Sequence, residues 1–87
     1  MKIKDGFVLR EVAGSYLVVA VGEAAKNFKG MINLNETGAF LWRLAEKGAT
    51  KQEMLAELLK EYDVDENTAA NDIDVFMQKL IEAELVK

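Results

Sequence analysis

The sequence predicts an α+β fold in which a three-stranded antiparallel sheet is followed by a three-helix bundle. Two patterns carry that expectation. Short apolar runs rich in valine occupy the first third of the chain, where they suit a pleated, half-buried surface. Apolar residues at helical spacing occupy the remaining two thirds. Residues with turn and cap chemistry stand at the joints, and no proline interrupts either pattern.

Strands are expected at residues 7–12, 16–21 and 28–34. The first carries Val8, Leu9 and Val12 around Arg10-Glu11, and the second is the run Tyr16 to Val21. Ala13-Gly14-Ser15 between them reads as a three-residue hairpin connection, with Gly14 free to take positive φ. A polar loop, Gly22 to Asn27, leads to the third strand. There, period two puts Phe28, Ile32 and Leu34 on one face and Met31 and Asn33 on the other. The product is a meander with its third strand at an edge.

Helices are expected at 36–47, 51–62 and 66–83. Asn35 suits an N-cap, Glu36 favours the positive helix end, and Phe40, Leu41, Leu44 and Ala45 form the first stripe. Gly48 fits the left-handed position that ends that helix. Thr50-Lys51-Gln52-Glu53 is a capping box, followed by Met54, Leu55, Leu58, Leu59 and Tyr62. The third helix begins at Asp65, with Ala69, Ile73, Phe76, Met77, Leu80 and Ile81 directed inward. Short joints and the absence of linkers make residues 1–87 one domain.

Composition narrows the function. Eighty-seven residues, 51% of them hydrophobic, suffice for one core without staples. No cysteine is present, so neither a disulfide framework nor a thiolate metal site is expected. Fifteen acidic against eleven basic residues give a net charge of −4, which opposes binding to nucleic acid. The opening Met1 to Gly6 has no apolar stretch behind it, and the run Tyr16–Val21 is too short to cross a membrane. A cytoplasmic protein with no membrane association is the expectation.

Catalytic chemistry finds no footing. Histidine and cysteine are both absent, and Ser15, the one serine, is expected in a hairpin turn with no base beside it. Asp63-Val64-Asp65-Glu66-Asn67 starts like an EF-hand loop. Its sixth position is Thr68 instead of glycine and its twelfth is Asp74 instead of glutamate, so helix-start acids are the better reading. No enzyme activity, cofactor or metal is expected. Trp42 is expected to be buried between the first and third helices, and Met31, Met54 and Met77 to fill the core. Val75 breaks its pattern, because Asp72, Lys79 and Glu82 place it on the polar side of the third helix.

Three strands and three helices also describe a winged helix that reads DNA. In that arrangement the third helix would enter the major groove, yet it carries Glu66, Asp72, Asp74 and Glu82 against Lys79 alone. The DNA-binding regulator therefore stands as the alternative.

The stretch Leu34-Asn35-Glu36-Thr37-Gly38-Ala39-Phe40-Leu41-Trp42-Arg43-Leu44 resembles the L-N-x-[ST]-[AG]-x-x-[IL]-W-x-L signature of PqqD-like proteins. Gly48-Ala49-Thr50 and a paired-apolar second helix follow it. Asp72-Ile73 with Phe76-Met77 and Leu80 resembles the family's D-[VI]-x-x-F-[LM]-x-x-L, and with Gly6-Phe7-Val8-Leu9-Arg10 the resemblance covers nearly the whole chain. Many relatives have glycine before the final leucine pair, where this chain has Glu84-Leu85-Val86, which puts the closure of the last turn in question. The N-terminal strands resemble a broad PqqD-like branch more than the pyrroloquinoline quinone pathway members proper.

That family is the RiPP recognition element, named for ribosomally synthesised and post-translationally modified peptides. The resemblance implies a winged-helix-like domain that binds the leader segment of a precursor peptide and presents it to a modifying enzyme, often a radical SAM protein. It implies that the leader adds as a strand beside the third strand, over a groove closed by the third helix. The implied contacts are Met31, Ile32 and Asn33 on the strand and Asp72, Val75, Phe76 and Lys79 on the helix. An unpaired edge with neighbouring side-chain pockets suits such capture. A monomer or weak homodimer is expected, and an adaptor that pairs this edge with its own copy is a third reading.

Overall fold

A computed structural model describes residues 2–28 and 30–87. Its elements run β1 (Phe7–Val12), β2 (Ser15–Ala20), α1 (Ala24–Asn27), β3 (Ile32–Leu34), α2 (Glu36–Glu46), α3 (Lys51–Glu61) and α4 (Glu66–Glu82). The sheet is antiparallel in the order β1-β2-β3, and the α+β architecture is the expected one.

The hairpin is tighter than expected. Val12 pairs with Ser15, so only Ala13 and Gly14 turn, with φ of 51° and 82°. Two successive positive φ values are what a two-residue hairpin turn demands, and Gly14 adopts its value without steric cost. Ser15 thus belongs to β2 and not to the turn.

Two further departures concern the segment between β2 and α2. Residues 24–27, expected as loop, form the single turn α1, in which Ala24, Ala25 and Lys26 are good helix formers and the amides of Ala25 and Lys26 donate to the carbonyls of Gly22 and Glu23. The Phe28 amide then donates to the Ala24 carbonyl, and its ring meets Phe7 edge-on at 5.2 Å. With Phe28 tied to α1, pairing with β2 among the described residues begins at Ile32, and β3 spans Ile32–Leu34 instead of the expected 28–34. The expected strand position Lys29 lies outside the described residues.

The three long helices start where their caps stand. The side chains of Asn35, Thr50 and Asp65 accept the amides of Gly38, Glu53 and Thr68, and Glu53 returns a bond to the Thr50 amide at 2.8 Å. Gly48, with φ of 82°, closes α2. The helices cover one face of the sheet, and Val18, Leu34, Leu41, Trp42, Met54, Leu58, Ile73, Phe76 and Leu80 form the core between them. Trp42 is fully buried, as expected, with no face open for stacking. Among the described residues its indole N–H finds no acceptor, a burial that costs about 1–3 kcal/mol. Two expected core residues are exposed. Ile81 lies half open on α4, and Met31 precedes β3 with its side chain in solvent.

The C-terminus resolves the question of the missing glycine. Glu84 takes φ of 61°, the Leu85 amide reaches back to the Leu80 carbonyl at 2.9 Å, and Glu84 bonds Ile81 at 3.0 Å. These are the bonds of a Schellman closure, made here with a glutamate in the left-handed position. Leu85 turns fully into the core, and Ile3 pairs with Val86 to tie the two ends of the chain together.

Glu84→Gly relieves the left-handed strain and raises stability by about 1 kcal/mol, measured by denaturant unfolding. The caps also set an acid limit. Bonds from the backbone amides of Thr50 and Thr68 hold the carboxyls of Glu53 and Asp65 below their usual range. Their contribution is therefore complete above the unfolded values near 4 and disappears as pH falls through the lower folded values. Melting temperature is expected to decline in that acid window, and less steeply in Asp65→Asn, whose amide caps without titrating.

Candidate functional site

β3 pairs with β2 on one side only, which leaves its other edge free for a strand. Beside that edge lies a groove of about 380 Å³ between β3, the first turns of α2, and α4. Leu34, Leu41 and Phe76 provide an apolar floor, and Asn33, Thr37, Asp72, Val75 and Lys79 form the walls.

Local sequence builds this shape. Asn35 alone separates β3 from α2, so the first turn of the helix must begin against the end of the strand. Gly38 sits in that turn. A Cβ there would lie 3.2 Å from Leu34 Cβ, tighter than ordinary packing, so glycine permits the close approach. On α4, residues 72, 76 and 79 recur at helical spacing and face the groove together, with Val75 beside them. Lys51 and Asp74 join α3 to α4 at 2.6 Å, a solvent-exposed link of small energetic value.

The residues singled out from the sequence divide. Asn33, Asp72, Val75, Phe76 and Lys79 line the one groove. Val75 is 58% exposed, which agrees with its break from the core pattern. Phe76 is only 4% exposed, so it is both a core residue and part of the floor. Ile32 is different: its side chain is buried under the sheet and does not line the groove. Met31 also lies off the groove, just outside β3.

In the sequence, Thr37 and Gly38 stand out only within the Leu34–Leu44 signature, and Leu41 also as part of the first helix's apolar stripe. Their role in the groove follows from the Leu34-Asn35 junction, where a strand run meets a cap without a spacer. That signal was present in the sequence.

Among the described residues, Lys79 makes the one side-chain bond to the edge. Its ammonium donates to the Asn33 carbonyl at 2.9 Å. Residues of an antiparallel strand alternate in the neighbour their backbone groups face. A helix side chain on the Asn33 carbonyl marks Asn33 as outward-facing, and the backbone groups of Ile32 and Leu34 as turned to β2. Among the described residues, no cluster of acidic side chains could hold a metal ion.

The geometry is that of a small α+β domain with an open sheet edge beside an apolar groove. The chain belongs to the family described as coenzyme PQQ synthesis protein D (PqqD), whose sequence profile matches residues 8–86. No curated protein matches it. Among solved structures it is similar to TbiB1 in complex with the TbiA(beta) leader peptide, at 25% identity and a TM-score of 0.77, over 100% of this chain and 95% of that one. It also shares its fold with lasso peptide synthetase B1 complexed with the leader peptide. That pair has 17% identity and a TM-score of 0.74, covering 97% of this chain and 93% of the other.

The burial contrast between neighbouring α4 residues is directly measurable. Val75→Glu is expected to change unfolding free energy by less than about 0.5 kcal/mol, as exposed substitutions do. Phe76→Ala is expected to lose about 3–5 kcal/mol, because it empties a packed site.

Proposed function

We propose that this protein binds the leader segment of a ribosomally synthesised precursor peptide and presents it to a separate modifying enzyme. The observation that carries this reading is the unpaired β3 edge beside a groove with an apolar floor. An extended peptide completes the backbone pairing that β3 lacks, and alternate side chains descend toward Leu34, Leu41 and Phe76. Asn33, Asp72, Val75, Phe76 and Lys79 are the side chains or backbone groups proposed to meet it. Ile32 supports the strand from beneath, and Met31 meets only a peptide that extends past the start of β3.

The similarity to two proteins solved with leader peptides supports this reading, as does membership of the PqqD family. A radical SAM enzyme is the proposed partner by that family resemblance. Strand capture needs no catalytic group, and the protein is proposed to act without chemistry of its own. Among the described residues, no helix is long and apolar enough to cross a membrane. The exposed acids Asp74 and Glu82 on α4 work against docking on DNA phosphate.

An amide NMR titration with short peptides encoded beside the gene tests the proposal. Shifts are expected in β3 and in α4 from about Asp72 to Lys79, and Val75→Glu is expected to weaken the same peptide about tenfold by breaking the groove's apolar wall. Shifts with duplex DNA and with none of the peptides would overturn it.

A further inference from the structure

The bond from Lys79 to Asn33 is an unusual use of a lysine. An ammonium on a helix surface has a carboxylate within reach when an acid lies three residues on, as Glu82 does here. Glu82 instead accepts from the Gln78 side-chain Nε2 at 3.0 Å. Among the described residues, no carboxylate comes within ion-pair distance of Lys79, although the protein carries four more acids than bases. Its ammonium is committed to a neutral carbonyl on the strand edge.

That carbonyl is the acceptor an incoming strand needs. An incoming strand's N–H competes with the Lys79 ammonium for that oxygen, and full pairing there is favoured when the lysine is drawn away. Where it goes depends on the ligand. A peptide with a neutral side chain at that point replaces the charge-assisted bond by an ordinary amide bond and covers an ammonium that has no anion beside it. A peptide with a carboxylate there takes the ammonium itself, in a short ionic bond, and frees the carbonyl in the same movement.

We propose that Lys79 is a removable cap on the β3 edge, and that the peptides taken by this groove carry an aspartate or glutamate next to the residue that passes Asn33, at a position whose side chain points with Ile32 and Leu34 to the α4 side. This rests on the strand-addition reading above and adds a determinant of specificity to it. The cap has a second effect in the free protein. It covers an edge acceptor that would otherwise pair with any extended chain, and lysine is a side chain that blunts sheet edges well.

Selection from a displayed library of random twelve-residue peptides tests the cap, using wild type and Lys79→Met in parallel. Lys79 is exposed, so the substitution leaves the core intact. Wild type is expected to enrich peptides with an acid at one fixed register position, and Lys79→Met to enrich apolar strands without it. A selected peptide is then made with that glutamate and with glutamine. Glutamate is expected to bind wild type and Lys79→Arg about tenfold more tightly than glutamine, and Lys79→Met equally. An equal preference in all three proteins, or no acid in the wild-type selection, would overturn the cap while leaving peptide capture in place. If wild type retains no peptide at β3, the leader-binding reading falls and the cap falls with it.

Discussion

Asn35 is the hinge on which the candidate site depends. It is the single residue between β3 and α2, with an extended backbone that continues the strand and a side chain that begins the helix. Its Oδ1 accepts the Gly38 amide at 2.7 Å, and its carbonyl accepts the Ala39 amide at 2.9 Å. No slack remains between strand and helix. Leu34 therefore ends the strand directly beneath the first turn of α2, and Gly38 lets that turn come close. The groove floor is a consequence of this joint.

The other wall of the groove is α4, and its position is fixed from both ends. Asp65 caps its start, while the closure at Glu84 turns Leu85 into the core and brings Val86 against Ile3. The buried stripe Ala69, Ile73, Phe76 and Leu80 sets the helix's rotation, which leaves Val75 and Lys79 at the rim. Phe76 thus belongs to both the core and the groove floor. The rim residues are the ones whose replacement leaves the core packing unchanged.

The sequence announced much of this through local chemistry. Caps at Asn35, Thr50 and Asp65, the stop at Gly48 and the exposure of Val75 are properties of a few neighbouring residues, and each was readable from spacing alone. The groove-facing set on α4 needed the family resemblance, because helical periodicity assigns Phe76 to the core and is silent about what lies opposite. Features that depend on distant partners were not readable. Ile3 meeting Val86, and Lys79 reaching Asn33 across forty-six positions, have no local signature. The length of β3 failed for a related reason: Phe28 suits a strand, but it is held by α1 and Phe7, and among the described residues pairing with β2 begins at Ile32. Glu84 shows the opposite case, in which closure of a helix overrides the usual need for glycine.

The central claim is that β3 gains a strand. Amide hydrogen exchange at two neighbouring residues tests it most directly, measured with and without a saturating leader peptide encoded beside the gene. Alternation along β3 predicts that the outward Asn33 amide exchanges fast in the free protein and becomes protected in the complex. The Ile32 amide, bonded to β2, is predicted to be protected in both. A saturated complex in which Asn33 exchanges as fast as before would contradict strand addition and place the peptide elsewhere on the molecule.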